Sequence, residues 1–475
     1  MANPALIKFN DDLARVLGLS ATDLKSSDGA AVFSGNFIPD GAQPLAMVYA
    51  GHQFGHFTPQ LGDGRAILLG EIVSPDGSCF DMHLKGCGRT FYSRDGDGRA
   101  ALGPVLREYL VSEAMVKLGV PTTRALAVVT TGEVVARERL LPGGIITRIA
   151  SSFVRVGTFQ YFSAKGDLES IQKLADYVIE RNYPEANKAE NSYLAFLTAV
   201  VDRQAALIAQ WMQLGFIHGV MNTDNMSIAG ETIDYGPCAF MDIYKHDQVF
   251  SSIDRAGRYA YNNQPSIGLW NLTRLAESLL PLLAEDTGAA VEVAQNILKT
   301  YVESYQKVWL GGMRIKCGLL TVSDKTEHED KALIQALLDT MAANNADFTL
   351  TFFYLSQLSS GLSAQSSEQD RNIRSLFDKP AQFDEWVVKW RKRLSDESHS
   401  EVERQEKMQA VNPVYIPRNH QIEAAIRAAE DHGDFSVFND LHEVLQNPYV
   451  LQEGMERYML SPKPDEVVQQ TFCGT

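Results

Sequence analysis

The chain has 475 residues, a hydrophobic content of 45% and a formal net charge of −16. A chain of this length can bury a large core and is expected to form two or three lobes. The acidic balance argues against binding to nucleic acid, because that binding depends on Lys and Arg side chains that neutralise phosphates.

The sequence shows no signal for export or membrane insertion. Its first residues carry no basic segment, acidic residues follow at 11 and 12, and no run of 18 uncharged apolar residues occurs. We therefore expect a cytoplasmic protein that binds no membrane. The five cysteines are scattered without Cys-x-x-Cys spacing and predict neither a zinc site nor a disulfide framework.

The region 48–160, which follows an N-terminal segment at 1–47, is predicted to be a small lobe of strands with one helix. It is rich in glycine, and its short apolar runs lie between turn residues at 66–69, 127–129 and 145–146. Between Pro104 and Gly119, apolar residues recur at intervals of three and four, which predicts the helix.

From about Asp167 helical patterns dominate. The clearest helix is predicted from Tyr193 to Leu214, with one apolar face and Gly215 as its end. A strand-rich lobe followed by a helical lobe is the order of a protein kinase. We therefore predict an α/β fold of the α+β type, kinase-like and two-lobed, with the second lobe at 161–284 and a mainly helical C-terminal region at 285–475.

The loop after this helix has the composition of a metal and phosphate site. Kinases bring a catalytic-loop Asn and the Asp of an Asp-Phe-Gly turn to one Mg²⁺, and Asn225 and Asp234 offer the same pair. Counted back from Asn225, the position of the kinase base holds Val220. Asp224 is a candidate base, although an Asp there would equally suit a turn. His218 is interpreted as a structural histidine that braces the loop.

Charged residues of the first lobe are candidate ligands of nucleotide phosphates. Lys85 ends a strand-like run and resembles the strand lysine of kinases. Its acidic partner would lie on the following helix, where Glu108 and Glu113 are both candidates and Glu108 is favoured. Arg148 and Arg155 could add positive charge, or they could be exposed arginines of a loop.

The pentapeptide Gly-Asp-Gly-Arg-Ala occurs twice, at 62–66 and at 96–100. A turn of this composition can offer backbone N–H groups and a guanidinium to a phosphate. Two copies in different surroundings do not indicate a repeat fold.

Longer motifs extend along the chain. They are Tyr-Ala-Gly-His-Gln-Phe-Gly at 49–55, Pro-Gln-Leu-Gly-Asp-Gly-Arg-Ala at 59–66, His-Leu-Lys-Gly at 83–86, Tyr-Ser-Arg at 92–94, Asn-Thr-Asp-Asn-Met at 222–226, Ile-Asp-Tyr-Gly-Pro at 233–237, Asn-Gln-Pro at 263–265, Trp-Asn-Leu at 270–272 and the stretch 412–420. Together they resemble the selenoprotein O family, known in bacteria as YdiU, and the resemblance covers nearly the whole chain.

The resemblance implies a kinase-like fold, called a pseudokinase, that transfers AMP from ATP to hydroxyl groups of other proteins. It also implies that ATP lies flipped relative to kinases, so that the α-phosphate faces the acceptor. Carried over residue by residue, the implied nucleotide contacts are Gly62, Gly64, Arg65, Lys85, Asp97, Gly98, Arg148, Arg155 and Asp234. The implied metal ligands are Asn225 and Asp234, and the implied proton acceptor is Asp224.

One feature of the family is only partly present. Members commonly carry a redox-active cysteine near the C-terminus, which corresponds here to Cys473, and a partner cysteine in the activation segment. At the partner's place the chain has Gln-Val-Phe-Ser-Ser at 248–252, so we expect no control by the family's disulfide. Cys238 is the nearest alternative and is expected to be a buried, unreactive thiol.

The resulting expectation is a protein adenylyltransferase that uses Mg²⁺ and ATP to modify Ser, Thr or Tyr hydroxyls of protein substrates. Transfer of UMP from UTP with Mn²⁺ is a neighbouring activity that the family makes available. A phosphotransferase is an alternative that Val220 disfavours. A non-catalytic nucleotide-binding scaffold is a second alternative, disfavoured because such a scaffold needs no complete set of Lys85, Asn225 and Asp234.

Overall fold

The computed structural model describes residues 1–361 and 367–472. It has a sheet-rich lobe followed by a helical one, which is consistent with the predicted kinase-like α+β fold. The strands of the first lobe are β1 (Ala5–Phe9), β2 (Val48–Gln53), β3 (His56–Gly62), β4 (Ala66–Val73), β5 (Cys79–Lys85), β6 (Ala100–Ala101), β7 (Arg124–Ala136) and β8 (Leu140–Ala150). The three apolar runs predicted as strands lie in β4, β7 and β8.

The main sheet of this lobe is antiparallel. Its strand order is β1-β7-β8-β5-β4, and the short β6 pairs with β8. Lys85 of β5 lies opposite Ile146 of β8, and His83 lies opposite Arg148. This register places His83, Lys85 and Arg148 on two neighbouring strands, which positions them for a common site.

Part of the segment 1–47 belongs to the same sheet, because β1 pairs with β7. Three short helices follow β1: α1 (Asp11–Val16), α2 (Ala21–Leu24) and α3 (Ser27–Phe33). Leu13 of α1 and Phe33 of α3 pack with Val129 and Ile145 on one face of the sheet. The boundaries assigned to the lobes from the sequence stay predictions.

The opposite face of the sheet is covered by α4 (Leu102–Lys117), which confirms the helix predicted around Pro104. Val128 and Ile146 of the sheet pack in the same core as Leu106 and Leu110 of this helix. Alternate strand residues therefore face two different cores, and both faces of β7 and β8 are buried.

The second lobe contains α5 (Val156–Ala164), α6 (Leu168–Asn182), α7 (Ser192–Leu214), the two-residue strands β9 (Phe216–Ile217) and β10 (Ala239–Phe240), and α8 (Gln264–Leu283). The predicted long helix is confirmed as α7. It is capped by Asn191, whose side chain accepts hydrogen bonds from Tyr193 and Leu194 N–H groups, and it ends at Gly215 with φ of 71°. The pair β9–β10 closes the loop that carries Asp224 and Asp234.

By length and composition, α7 is the one helix in the described ranges that could cross a membrane. This is a weak indication, since core helices of soluble proteins have the same composition. Leu197, Val201 and Ile208 of α7 are fully buried.

The C-terminal region is mainly helical, as predicted. Its helices are α9 (Thr287–Lys316), α10 (Asp324–Ala343), α11 (Phe348–Leu355), α12 (Glu368–Arg374), α13 (Pro380–Leu394), α14 (Glu401–Gln409), α15 (Asn419–His432) and α16 (Ser436–Val444). Ile422 and Ile426 of α15 pack in the same core as α4 of the first lobe. The extension therefore fastens α4, which carries Glu108.

The strands β2 and β3 form a separate hairpin outside the main sheet. The His52 N–H of β2 donates to Thr223 Oγ1 at 2.7 Å, and the Phe54 N–H donates to Asn222 Oδ1 at 3.1 Å. These bonds lay the hairpin across the turn that carries Asp224.

Candidate active site

Asp234 lies at the centre of a group of buried charges. Its Oδ1 atom accepts from Lys85 Nζ at 3.2 Å and from Arg148 Nη1 at 2.8 Å, and its Oδ2 atom is 3.3 Å from Arg155 Nη1. The backbone of Asp234 has φ of 60°, a left-handed conformation that Asp tolerates better than most residues. The sequence-predicted residues Lys85, Arg148, Arg155 and Asp234 therefore meet at one point.

Glu108 is the second carboxylate of this group. It accepts from Lys85 Nζ at 2.6 Å and from Arg148 Nη1 at 3.2 Å. Glu113 points elsewhere, because it binds the Arg124 side chain and the Ala125 N–H group. Of the two candidates, Glu108 is thus the partner of Lys85, as favoured.

The surrounding cations keep Asp234 ionised. Burial alone would raise its pKa, but Lys85, Arg155 and Arg148 hold the pKa of this carboxyl well below its usual range. Glu108 responds in the same direction: burial opposes ionisation, yet Lys85 and Arg148 lower its pKa. Both carboxylates are therefore permanent negative charges at neutral pH.

A chain of hydrogen bonds through His83 to Asp63 orients the Arg148 side chain. Arg148 Nη2 lies 2.8 Å from His83 Nδ1, and His83 Nε2 lies 3.0 Å from Asp63 Oδ2. Since the guanidinium can only donate, His83 accepts at Nδ1 and donates from Nε2 to Asp63, which is the neutral tautomer. Burial lowers the pKa of His83 and favours the same neutral form. Asp63, the second residue of the first Gly-Asp-Gly-Arg turn, thereby orients Arg148.

Asp224 has a different environment. Its Oδ2 accepts from Gln53 Nε2 at 3.2 Å, whereas its buried Oδ1 has no hydrogen-bond partner in the described part of the chain. A Cβ added to Gly51 would overlap this Oδ1, so the backbone of β2 closely covers the carboxylate. Burial raises the pKa of Asp224 to about 6, and the opposing effects of its own backbone N–H group, Arg155 and Gln53 offset it only in part.

Arg155 connects the two carboxylates. It precedes α5, and its Nη1 donates to the backbone carbonyl oxygen of Asp224 at 2.9 Å while lying 3.3 Å from Asp234. Its guanidinium lies over the ring of Tyr49, 4.5 Å from the centroid. This buried arginine contacts both β2 and the loop that carries Asp224, which excludes the alternative of an exposed loop arginine.

Asn225 offers the amide oxygen that was predicted as a metal ligand. Its Nδ2 donates to the Val220 carbonyl oxygen at 3.0 Å, which leaves Oδ1 as the atom able to bind a cation. The described residues contain no group of three or more His, Cys, Asp or Glu side chains able to hold a metal. One carboxylate and one amide oxygen suit Mg²⁺ that receives its other ligands from phosphates and water, so these residues fit a nucleotide-bound cation.

The two glycine turns occupy different places. Gly62 and Gly64 flank Asp63, so the first turn adjoins the charged group; a Cβ at Gly62 would overlap the ring of Tyr92. In the second turn, Gly98 has φ of 68°, and Asp97 pairs with Arg137 at 2.8 Å on the surface. No contact joins the Asp97 carboxylate to the charged group in the described ranges. The roles predicted for Gly62, Gly64, Arg65, Asp97 and Gly98 stay predictions.

His218 has the geometry of a bracing residue. It is buried, its Nε2 lies 2.8 Å from the Ile233 carbonyl oxygen, and its backbone N–H donates to Gln264. Burial lowers its pKa, so the ring is neutral. It joins the strand before Asp224 to the residue before Asp234.

The C-terminal tail lies along the segment where the family has its partner cysteine. The Thr471 N–H donates to the Phe250 carbonyl oxygen at 2.8 Å, and the Ser252 N–H donates to Thr471 at 3.1 Å. Cys473 lies outside the described residues. Cys238 is fully buried, and burial raises its pKa to about 11, as expected of an unreactive thiol.

Four residues of the site received no role from the sequence: Gly51, Gln53, Asp63 and His83. Each lies inside one of the motifs at 49–55, 59–66 and 83–86. The motifs therefore contained these residues, but gave no indication of what each side chain does. His83 offered one further signal, because a His among apolar strand residues must find buried hydrogen-bond partners.

Comparison with known proteins gives a consistent family. A family model described as protein adenylyltransferase SelO matches residues 1–446. Three similar proteins, each described as protein nucleotidyltransferase YdiU, come from Rhizobium etli, Rhizobium meliloti and Bradyrhizobium diazoefficiens. The first two are 57% identical and the third 56% identical to this chain. Each similarity covers 100% of this chain, and the shares of the three relatives are 93%, 95% and 95%.

Proposed function

Because the chain belongs to the SelO family of protein adenylyltransferases and is a nucleotidyltransferase, we propose that it transfers AMP from ATP to Ser, Thr or Tyr hydroxyls of protein substrates. The observation that carries this proposal is the contrast between Val220 and Asp224. The apolar Val220 occupies the position of a kinase base, whereas Asp224 is a buried carboxylate with a pKa of about 6. A carboxyl with this pKa is mostly ionised at neutral pH and can accept a proton there, and its pKa lies close enough to the working pH for general-base catalysis.

Asp224 takes the proton of the acceptor hydroxyl. As the hydroxyl oxygen forms a bond to the α-phosphorus, the bond between this phosphorus and the oxygen bridging to the β-phosphate breaks. AMP is then attached to the protein substrate, and pyrophosphate leaves. Gln53 and Arg155 position Asp224 through its Oδ2 atom and its backbone carbonyl oxygen.

Lys85, Arg148 and Arg155 hold the β- and γ-phosphates in this scheme. In the structure their charges are balanced by Glu108, Asp234 and Asp63. A buried, pre-assembled set of cations requires little rearrangement when a polyphosphate enters, and it stabilises the charge that develops on pyrophosphate.

The oxygen atoms of Asp234 and Asn225 would hold a divalent cation, which neutralises phosphate charge when bound. We propose Mg²⁺ for AMP transfer, and Mn²⁺ with UTP as a related activity. The oxygen ligand set suits both ions.

Parallel incubations with α-labelled and γ-labelled ATP test the proposal. We expect the α label on protein, the γ label in pyrophosphate, and an AMP adduct by mass spectrometry. Transfer of the γ label alone would instead identify a kinase. Binding of ATP without transfer of either label would identify a nucleotide-binding scaffold. Asp224→Asn is the control, because it should bind ATP and transfer neither label.

A further inference from the structure

A group of aromatic and basic side chains lies beside Asp224 and takes no part in the chemistry described above. The guanidinium of Arg258 lies 4.8 Å from the centroid of the Trp270 ring, and that of Arg274 lies 5.1 Å from it. The His52 ring packs between Trp270 and Phe57, at centroid distances of 5.1 and 4.8 Å. We call these five residues the Arg258 surface.

The Arg258 surface adjoins the proposed base through the β2–β3 hairpin. His52, which belongs to this surface, donates its backbone N–H to Thr223, the residue before Asp224. The next residue, Gln53, binds the Asp224 carboxylate. Tyr259, next to Arg258, donates to Asn222 at 2.5 Å. His52 and the neighbour of Arg258 therefore both contact the turn that carries Asp224.

Arg258 is a positive charge without an acidic partner. In the parts of the chain that the structure describes, no carboxylate forms an ion pair with its side chain, and its buried Nε has no hydrogen-bond partner. Arg274 pairs with Glu277 at 2.7 Å, and this carboxylate is about half exposed. The burial of the His52 ring, together with Arg274 and Arg258, lowers the pKa of His52 and leaves it neutral.

The local charge opposes that of the whole molecule, whose net charge is −16. The Arg258 guanidinium lies over the Trp270 ring, and this cation–π contact restrains it. A guanidinium presents its N–H donors as a planar fork. A carboxylate matches this geometry with two parallel hydrogen bonds. Phe57 is 42% exposed and packs against His52, so it supplies an apolar surface within the same group of residues.

We propose that the Arg258 surface docks the protein substrate by binding an acidic side chain close to the acceptor hydroxyl. This inference rests on the proposed function, since it assigns a substrate feature to the same site. Acceptors flanked by Asp or Glu would be preferred over acceptors flanked by Lys or by neutral residues.

The test uses peptide pools with a central Ser, Thr or Tyr flanked on both sides by Glu, Gln or Lys. We expect wild-type protein to modify the Glu pools with a kcat/KM on the order of tenfold above the Lys pools, because a charge-assisted contact is gained. Arg258→Glu should reverse this order. Arg255→Glu changes the same charge on an exposed residue of the same segment and should keep the wild-type order.

Fluorescence anisotropy of the same labelled pools, with an ATP analogue that cannot be cleaved, measures docking without transfer. A preference for Glu that Arg258→Glu reverses, in the absence of any transfer, would retain the docking inference and overturn the proposed adenylylation. Transfer with equal affinity for all pools, or a preference that Arg258→Glu leaves unchanged, would overturn the docking inference alone. Unchanged ATP affinity and melting temperature of Arg258→Glu would show that the variant is folded.

Discussion

Two carboxylates ten residues apart in the chain occupy opposite electrostatic environments. Asp234 is surrounded by Lys85, Arg148 and Arg155, and its pKa lies well below the usual range. Asp224 has one side-chain donor, Gln53, and an oxygen pressed against the backbone of Gly51, and its pKa is raised to about 6. Burial opposes the ionisation of both carboxyl groups, so burial alone does not decide the protonation state.

The difference lies in the counter-charge that reaches each group. Lys85, Arg148 and Arg155 lower the pKa of Asp234 by more than burial raises it. Of these three cations, only Arg155 contacts Asp224, and it binds the backbone carbonyl oxygen. One site thus contains a permanent anion suited to a cation and a second carboxylate able to gain a proton near neutral pH. Variants on the Asp234 side should change nucleotide binding and turnover together, and variants on the Asp224 side should change turnover alone.

The largest effect is expected for Asp234→Asn. It removes the charge of the proposed metal ligand, and we expect transfer to fall on the order of 10³-fold or more, because a bound metal contributes several kcal/mol to transition-state stabilisation. Isothermal titration with ATP should also lose its dependence on Mg²⁺. A variant that kept metal-dependent binding would show that Asp234 is no metal ligand.

Asp224→Asn should lower turnover by roughly 10²–10⁴-fold, the usual contribution of a general base. Nucleotide affinity should stay at the wild-type value, because the one contact of Asp224 with the proposed phosphate-binding cations in the described residues is made by its backbone carbonyl oxygen, which binds Arg155. Initial rates and ATP titrations measure the two quantities separately. Full activity of this variant would remove Asp224 from the proton-acceptor role.

Gly51→Ala tests the close contact of β2 with the base. The added Cβ overlaps Asp224 Oδ1, and a displacement of this size can cost on the order of 10²-fold in turnover. ATP affinity should not change. Gly311→Ala is the matched control, since its added Cβ meets no atom within 4 Å. Equal turnover of the two variants would mean that the hairpin moves away from Asp224 during the reaction.

Arg148→Lys changes one of the cations that contact Asp234. A lysine cannot bind Glu108, Asp234 and His83 at once, and we expect ATP affinity and turnover each to fall by roughly tenfold. Calorimetric titration with ATP, ADP and AMP should show a loss for ATP and little change for AMP. Equal affinities of the wild-type protein for ATP and AMP would contradict a triphosphate site at these cations.

The smallest effect is expected for Gln53→Leu, and it should be visible in the pH dependence of kcat/KM. Because the protonated form of Asp224 cannot accept a proton, kcat/KM should fall as the pH drops through about 6. Gln53 stabilises the carboxylate, so its removal should raise this midpoint and cost roughly severalfold at pH 6 but little at pH 8. An unchanged pH profile of kcat/KM would show that another group titrates.

The elements that could be predicted from the sequence are those with strong local signals. The helix α7 has a regular apolar face, a capping Asn191 and an ending Gly215, and the apolar runs of β4, β7 and β8 lie between turn residues. The strand β1 was not predicted, because five residues of mixed polarity become a strand only by pairing with β7.

The sequence by itself determined which residue types are present for the chemistry: a lysine at the end of a strand, an Asn and an Asp at the spacing of a metal loop, and no base at Val220. Only the tertiary structure decided their charge states and partners. Glu108 rather than Glu113 meets Lys85 because α4 turns that face toward β5, and Asp224 differs from Asp234 because their neighbours come from distant strands. Protonation depends on the distance and burial of charges in space, and spacing along a chain does not specify either one.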